Sequence, residues 1–187
     1  MPVPTLEPME LEAVVGITVR PEAPGDVERI RAINDAAFGS SAEARIVDGV
    51  RGTDRWIEGG SLVAEGADGE LVGHLLLSRG DLVGPDDVTR VVWVLGPVGV
   101  MPDHQGRGVG AALMRAAIDV ARSAHQPLIC LVGQAGYYPR FGFERARRIG
   151  VEPPGPWPDE NWMALRLPGW TPVLRGVVRY PPAFSEE

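Results

Sequence analysis

The stretch Val98-Gly99-Val100-Met101-Pro102-Asp103-His104-Gln105-Gly106-Arg107-Gly108-Val109-Gly110 leaves an apolar strand, crosses a glycine-rich turn and enters a helix opening Ala111-Ala112-Leu113-Met114. Such a turn suits an anion. Glycines at 106, 108 and 110 clear side chains from the backbone where a ligand approaches, and the unbonded N–H groups at the helix start, with the positive dipole end, favour phosphate. Val109, Leu113, Ala116 or Ala117 and Val120 recur at helical spacing, which predicts an amphipathic helix over about Gly108 to Arg122.

The turn excludes two common phosphate loops. A Walker-type loop needs Gly-Lys-Ser/Thr, but Gly110 is followed by Ala111 and the chain holds no lysine at all. A dinucleotide fingerprint needs Gly-x-Gly-x-x-Gly, whereas position 111 is alanine. The pattern Gln-x-x-Gly-x-Gly at Gln105, Gly108 and Gly110, preceded by Val98-Gly99-Val100 and Pro102, resembles the acetyl-coenzyme A pyrophosphate loop of the GCN5-related N-acetyltransferases (GNAT).

A second segment carries the same resemblance. Pro127-Leu128-Ile129-Cys130-Leu131-Val132 is a short apolar run, followed by Gly133-Gln134-Ala135-Gly136-Tyr137-Tyr138-Pro139-Arg140-Phe141-Gly142-Phe143. It is similar to the next strand of that family and the short helix bearing its Tyr-x-x-x-Gly-Phe signature. Tyr138 falls on the family's general-acid tyrosine, with Tyr137 as an adjacent alternative. The Leu95 to Val100 approach, the Tyr-Tyr-x-Arg-Phe-Gly-Phe wording and Val177-Val178-Arg179-Tyr180-Pro181 resemble the YhbS-like branch. The likeness runs from about Ile17 to about Phe184.

That resemblance implies an α/β (α+β) fold, in which a central mixed, mostly antiparallel sheet contains a splayed parallel strand pair and is flanked by helices. It implies acetyl-CoA as acyl donor, held by Val98, Gly99, Val100, Gln105, Gly106, Arg107, Gly108, Val109, Gly110 and Ala111, with a contact at Gln134. It also implies a primary amine acceptor on a small molecule or peptide. In acyl transfer a neutral amine attacks the thioester carbonyl, and Tyr138 would protonate the departing thiolate. Many relatives place a carboxylate on the strand before the loop, whereas Gly96-Pro97-Val98-Gly99-Val100 supplies none. Glu43 and His74 are therefore the candidate proton acceptors, beside bulk water. Two non-enzymatic readings stay open: an acyl-CoA-binding or sensing module, and an interaction protein pairing through Trp170 to Phe184, which would make a homodimer.

Composition fits one domain. A chain of 187 residues, 44% hydrophobic, closes a substantial core. The reading places a loose arm at residues 1–15, the acetyltransferase domain at 16–169, and a tail at 170–187 that packs on the domain or a partner. A net charge of −7 argues against nucleic acid, which draws most of its affinity from a basic face. No run of ~18 apolar residues is long enough for a membrane span, and the proline-bearing, acidic N-terminus is unlike a signal peptide, so the expectation is cytoplasmic. His74, His104 and His125 lack metal-ligand spacing with one another or with Cys130, so no metal is expected. Cys130 reads as a small core residue.

Periodicity orders the elements. Strands are expected at Ile17 to Arg20, Ser61 to Glu65, Leu71 to Ser78, Arg90 to Val100, Pro127 to Val132, Glu144 to Gly150 and Trp162 to Leu167, with helices capped by Asp26 and by Ser40 or Ser41. Gly66-Ala67-Asp68-Gly69 predicts a hairpin turn. Acceptor contacts are expected from the first two helices and the loops around Asp81 to Thr89 and Glu152 to Asp159. Trp93, Trp157, Trp162 and Trp170 suit a pocket or a core equally, and none is assigned to the site.

Overall fold

The computed structural model describes residues 16–185; the N-terminal arm expected at 1–15 lies outside them. Among the described residues nine strands form one sheet, joined by three α-helices. The strands are β1 (Thr18–Pro21), β2 (Trp56–Glu65), β3 (Leu71–Val83), β4 (Thr89–Val100), β5 (Leu128–Val132), β6 (Glu144–Arg145), β7 (Val151–Glu152), β8 (Trp162–Arg166) and β9 (Gly176–Arg179). The helices are α1 (Val27–Phe38), α2 (Ala42–Val50) and α3 (Val109–Ser123). Along the sheet the order is β1-β2-β3-β4-β5-β8-β6, with β9 pairing β3 and β7. Among these, β4 with β5 and β7 with β9 are parallel, and the remaining pairs are antiparallel. The expected mixed, mostly antiparallel sheet with one splayed parallel pair is the architecture observed.

The two faces of the sheet are covered differently. On one side α3 buries Val109, Leu113, Met114, Ala117 and Ala121 against Leu75, Leu77, Ile129 and Leu131, which explains the helical spacing read from the sequence. On the other side α1 and α2 pack Ile30, Ile33, Val47 and Val50 over Val63 and Leu76. The rest of that face is covered by Leu174, Val178 and Trp162 around Leu82, Val94 and Cys130. Cys130 is fully buried and burial pushes its thiol pKa up, so it behaves as a small apolar filler.

Several expectations are corrected. The segment 144–150 is not one strand, because a 3-10 turn at Ala146–Ile149 ending on Gly150 (φ +78°) separates two short strands. Asp26 precedes α1 but makes no side-chain cap. Its carboxylate instead takes the Arg20 guanidinium at 2.7 Å and the Ala23 N–H at 2.7 Å, and Arg20 holds its pKa below the usual range. Strand β3 runs on to Val83, past its expected end at Ser78, because Arg79 to Val83 pair with Trp93 to Thr89 of β4 and Asp81 to Val83 also pair with β9; the Asp81 side chain forms a two-pronged pair with Arg55 at 2.7 and 2.9 Å. The segment after 169, expected as a tail packing on the domain or a partner, supplies β9, whose Asp81↔Arg179 to Val83↔Val177 pairing extends the sheet.

Candidate active site

Strands β4 and β5 pair only at Trp93↔Ile129 and Val94↔Cys130. Beyond them the strands separate. On its other side β4 stays bonded to β3, but the register slips between Leu75↔Val98 and Leu77↔Leu95, which sets Gly96-Pro97 in a bulge. On the β5 side, Gly133 is held by Asn161 in place of β4: its carbonyl accepts from Asn161 Nδ2 at 2.8 Å and its N–H donates to the Asn161 carbonyl at 2.9 Å. The result is a cleft of about 790 Å³ bordered by Leu95 to Val98, Val100, Gly110 and Val132 to Gln134.

The turn at the end of β4 delivers the helix start to this cleft. Gly108 precedes α3 with φ +87°, a left-handed conformation that costs a residue with a Cβ ~1–2 kcal/mol. Ala112 is the first residue to bond back, to the Gly108 carbonyl at 3.0 Å, so the N–H groups of Val109, Gly110 and Ala111 project from the helix end. At Gly110 space decides the residue, because a Cβ there would stand 3.1 Å from the Tyr137 hydroxyl. Gln105 Nε2 donates to the Val100 carbonyl at 3.0 Å and ties the turn to the strand. Arg107 and Gly106 are exposed on the turn, and Arg107 has no ion pair among the described residues. The Val109 side chain is buried, leaving only its main chain for a ligand.

Tyrosines line the opposite wall. Tyr138 begins the 3-10 turn Tyr138–Phe141 and packs on Gly133 and, edge-on at 6.0 Å, on Phe143. Any side chain at Gly133 would overlap that ring. Burial raises the Tyr138 pKa, with Tyr137 adding to the effect, so the phenol stays protonated at neutral pH. Tyr137 stands edge-on to it at 5.1 Å with Arg140 over its ring at 4.7 Å. Its own pKa is raised by burial, an effect opposed by Arg140 and Arg115.

The two candidate proton acceptors part company. Glu43 borders the cleft from the first turn of α2, its carboxylate accepting the Ser40 hydroxyl at 3.0 Å. His74 does not border it. Its Nδ1 accepts from Asn34 Nδ2 at 3.2 Å and its Nε2 donates to Ser61 Oγ at 2.9 Å; Ser61 in turn donates to Glu22, which pairs with Arg51 at 3.1 Å. Burial, helped by the Arg51 charge, pushes the imidazole pKa down to about 3. The expectation of a catalytic His74 is corrected on this geometry: the ring is a neutral core group locked in a chain of hydrogen bonds. Gly99, its partner across β3 and β4, also turns from the cleft, and a Cβ there would meet Asn34 Oδ1 at 3.1 Å.

The rest of the cleft wall was expected in part, from the first two helices and the 152–159 loop. Phe38 and Ile46 come from α1 and α2, and Pro154 and Trp157 from the expected 152–159 loop. The expected loop at 81–89 contributes nothing to the wall. In its place stand Arg179, Tyr180, Phe184 and Ser185 from the end of the chain.

Residues 10–146 match the family model described as "Acetyltransferase (GNAT) domain". The chain belongs to the GNAT acetyltransferase family. The uncharacterised N-acetyltransferase YjhQ of Escherichia coli K12 is 35% identical over 158 residues, which is 82% of this chain and 86% of the relative. YhbS of the same organism is 31% identical over 150 residues, covering 80% and 86%. The crystal structure of E. coli YhbS in complex with CoA superposes with a TM-score of 0.80 at 23% identity, over 95% of this chain and 96% of that one. A GNAT acetyltransferase of Brucella melitensis in complex with acetyl-CoA superposes with a TM-score of 0.73 at 31% identity, over 90% and 97%. Within this GNAT chain, no group of three or more His, Cys, Asp or Glu among the described residues is arranged to hold a metal, and no described helix is long and apolar enough to cross a membrane.

Proposed function

We propose that the protein transfers the acetyl group of acetyl-CoA directly to a primary amine of a small molecule or peptide. The observation that carries this reading is the parting of β4 and β5 beside an uncapped helix start, with Tyr138 on the far wall. The three N–H groups opening α3, with Arg107, take the pyrophosphate, and the pantetheine arm enters the gap, hydrogen-bonding to main chain that β5 leaves unpaired. The amine lone pair attacks the thioester carbonyl and the carbon–sulfur bond breaks. Tyr138 donates its proton to the departing sulfur, while Glu43, directly or through water, accepts the proton from the new ammonium.

A non-catalytic acyl-CoA-binding module is favoured by one observation, the absence of a carboxylate from the cleft segment of β4, Leu95 to Val100. Calorimetry with acetyl-CoA and thiol-release kinetics on the same protein separate the readings. Saturable binding that a Gly108→Glu variant loses is expected, and Tyr138→Phe should cut turnover by about 10² while leaving acetyl-CoA affinity within about twofold. Turnover unaffected by Tyr138→Phe refutes its role as acid, and absence of binding refutes the coenzyme site.

A further inference from the structure

We propose that the amine acceptor is a small aromatic monoamine, held by an apolar slot that the end of the chain closes. This inference rests on the amine-acetylation reading above and names its substrate class. Away from the helix start, the wall of the cleft is made of Phe38, Ile46, Trp157, Tyr180 and Phe184. Among the described residues bordering the cleft, Glu43 and Arg179 alone carry charge. A polyamine, an aminosugar or a basic peptide brings two or more cations, and a single carboxylate leaves the surplus charge without a partner along an apolar wall. A single ammonium on a flat ring matches the wall: its ring lies against Trp157, Tyr180 and Phe184, and its nitrogen meets Glu43.

The closure comes from residues 180–185. Tyr180 packs with Trp157 at 5.7 Å and Trp162 at 6.3 Å over the half of the sheet that β9 covers. Four residues on, Ala183 and Phe184 belong to the other packing cluster, under α1 and α2, and Phe184 sits edge-on to Tyr180 at 4.8 Å. The chain therefore bridges the two clusters across the acceptor face. Gly49 makes this seat possible, since a Cβ there would stand 2.8 Å from Ala183 Cβ. The cleft as a whole, acceptor face and groove between β4 and β5 together, holds about 790 Å³.

The test is a thiol-release comparison of the full chain with acetyl-CoA and 2-phenylethylamine, tyramine, spermidine or a lysine-containing peptide, run beside calorimetry of acetyl-CoA alone. The expected result is a kcat/KM for the aromatic monoamines at least about tenfold above spermidine and the peptide. Phe184→Ala should raise KM for 2-phenylethylamine about tenfold with acetyl-CoA affinity kept, and Phe184→Leu, which preserves an apolar side chain on α2, should recover part of it. Preference for spermidine or the peptide overturns the proposal. So does acetyl-CoA binding with no turnover of either aromatic amine, whereas failure to bind acetyl-CoA overturns the reading beneath it.

Discussion

Acid should weaken this protein through a single imidazole. His74 is fully buried, with Asn34 donating to its Nδ1 and its Nε2 donating to Ser61. Ser61 donates to Glu22, which with Asp48 faces Arg51, so the charged groups around the ring are Arg51, Glu22 and Asp48. Burial first, and the nearby Arg51 charge second, lower the pKa from 6.5 to about 3, and a proton on Nδ1 would also break the Asn34 bond. Above pH 6.5 the ring is neutral folded and unfolded, and its contribution is constant. Below 6.5 the unfolded chain takes up the proton and the folded protein does not, so stability falls as pH drops towards 3. At 1.36 kcal/mol per pH unit, the loss by pH 5 is about 2 kcal/mol, a large share of the ~5–15 kcal/mol that holds a domain folded. Urea denaturation of wild type and His74→Gln at pH 8 and pH 5 isolates this effect, because every other titrating group is common to both. Wild type should lose about 2 kcal/mol more than the variant over that interval. Equal losses would refute the account of His74 as a neutral core group.

Two further outcomes follow from geometry already described. Gly108→Ala forces a Cβ into φ +87°, which should cost ~1–2 kcal/mol in urea and weaken acetyl-CoA binding by shifting the helix start; unchanged affinity would separate that backbone conformation from ligand binding. Leu113→Ala empties a fully buried position between α3 and the sheet, and a loss of ~2–5 kcal/mol in the same assay is expected, with a loss below about 1 kcal/mol contradicting the packing.

What could be read from the sequence was local. The turn before α3 announced itself through its glycines, and Tyr138 through its match to the Tyr-x-x-x-Gly-Phe signature of the family the chain resembles, at a distance from the loop that fits one helix and one strand. The acceptor wall was readable only in part: the first two helices and the 152–159 loop were expected, whereas the segment from Arg179 to Ser185 was not, since the fold brings it in from far along the chain. Val177 to Arg179 is too short to declare a partner, and β9 pairs with a stretch of β3 roughly 95 residues earlier. Trp157 looked like any core aromatic until Tyr180 and Phe184 were set against it. His74 was legible as a strand residue, but its fate depends on Asn34, Ser61 and Glu22, which three different segments bring together.

The scant pairing of β4 with β5 reaches beyond chemistry. The molecule has two leaves, one carrying the glycine turn and the other carrying Tyr138, joined directly at two ladder positions and otherwise by β9, which pairs with both β3 and β7, and by side chains packed on both faces of the sheet. Beyond those two positions no ladder joins β4 to β5, and the edges of the cleft are free to part. A molecule lying along the seam grips both, and its binding energy adds to whatever keeps them shut. On the proposed acetyl transfer, the compound that is consumed also braces the sheet, and substrate and scaffold are coupled.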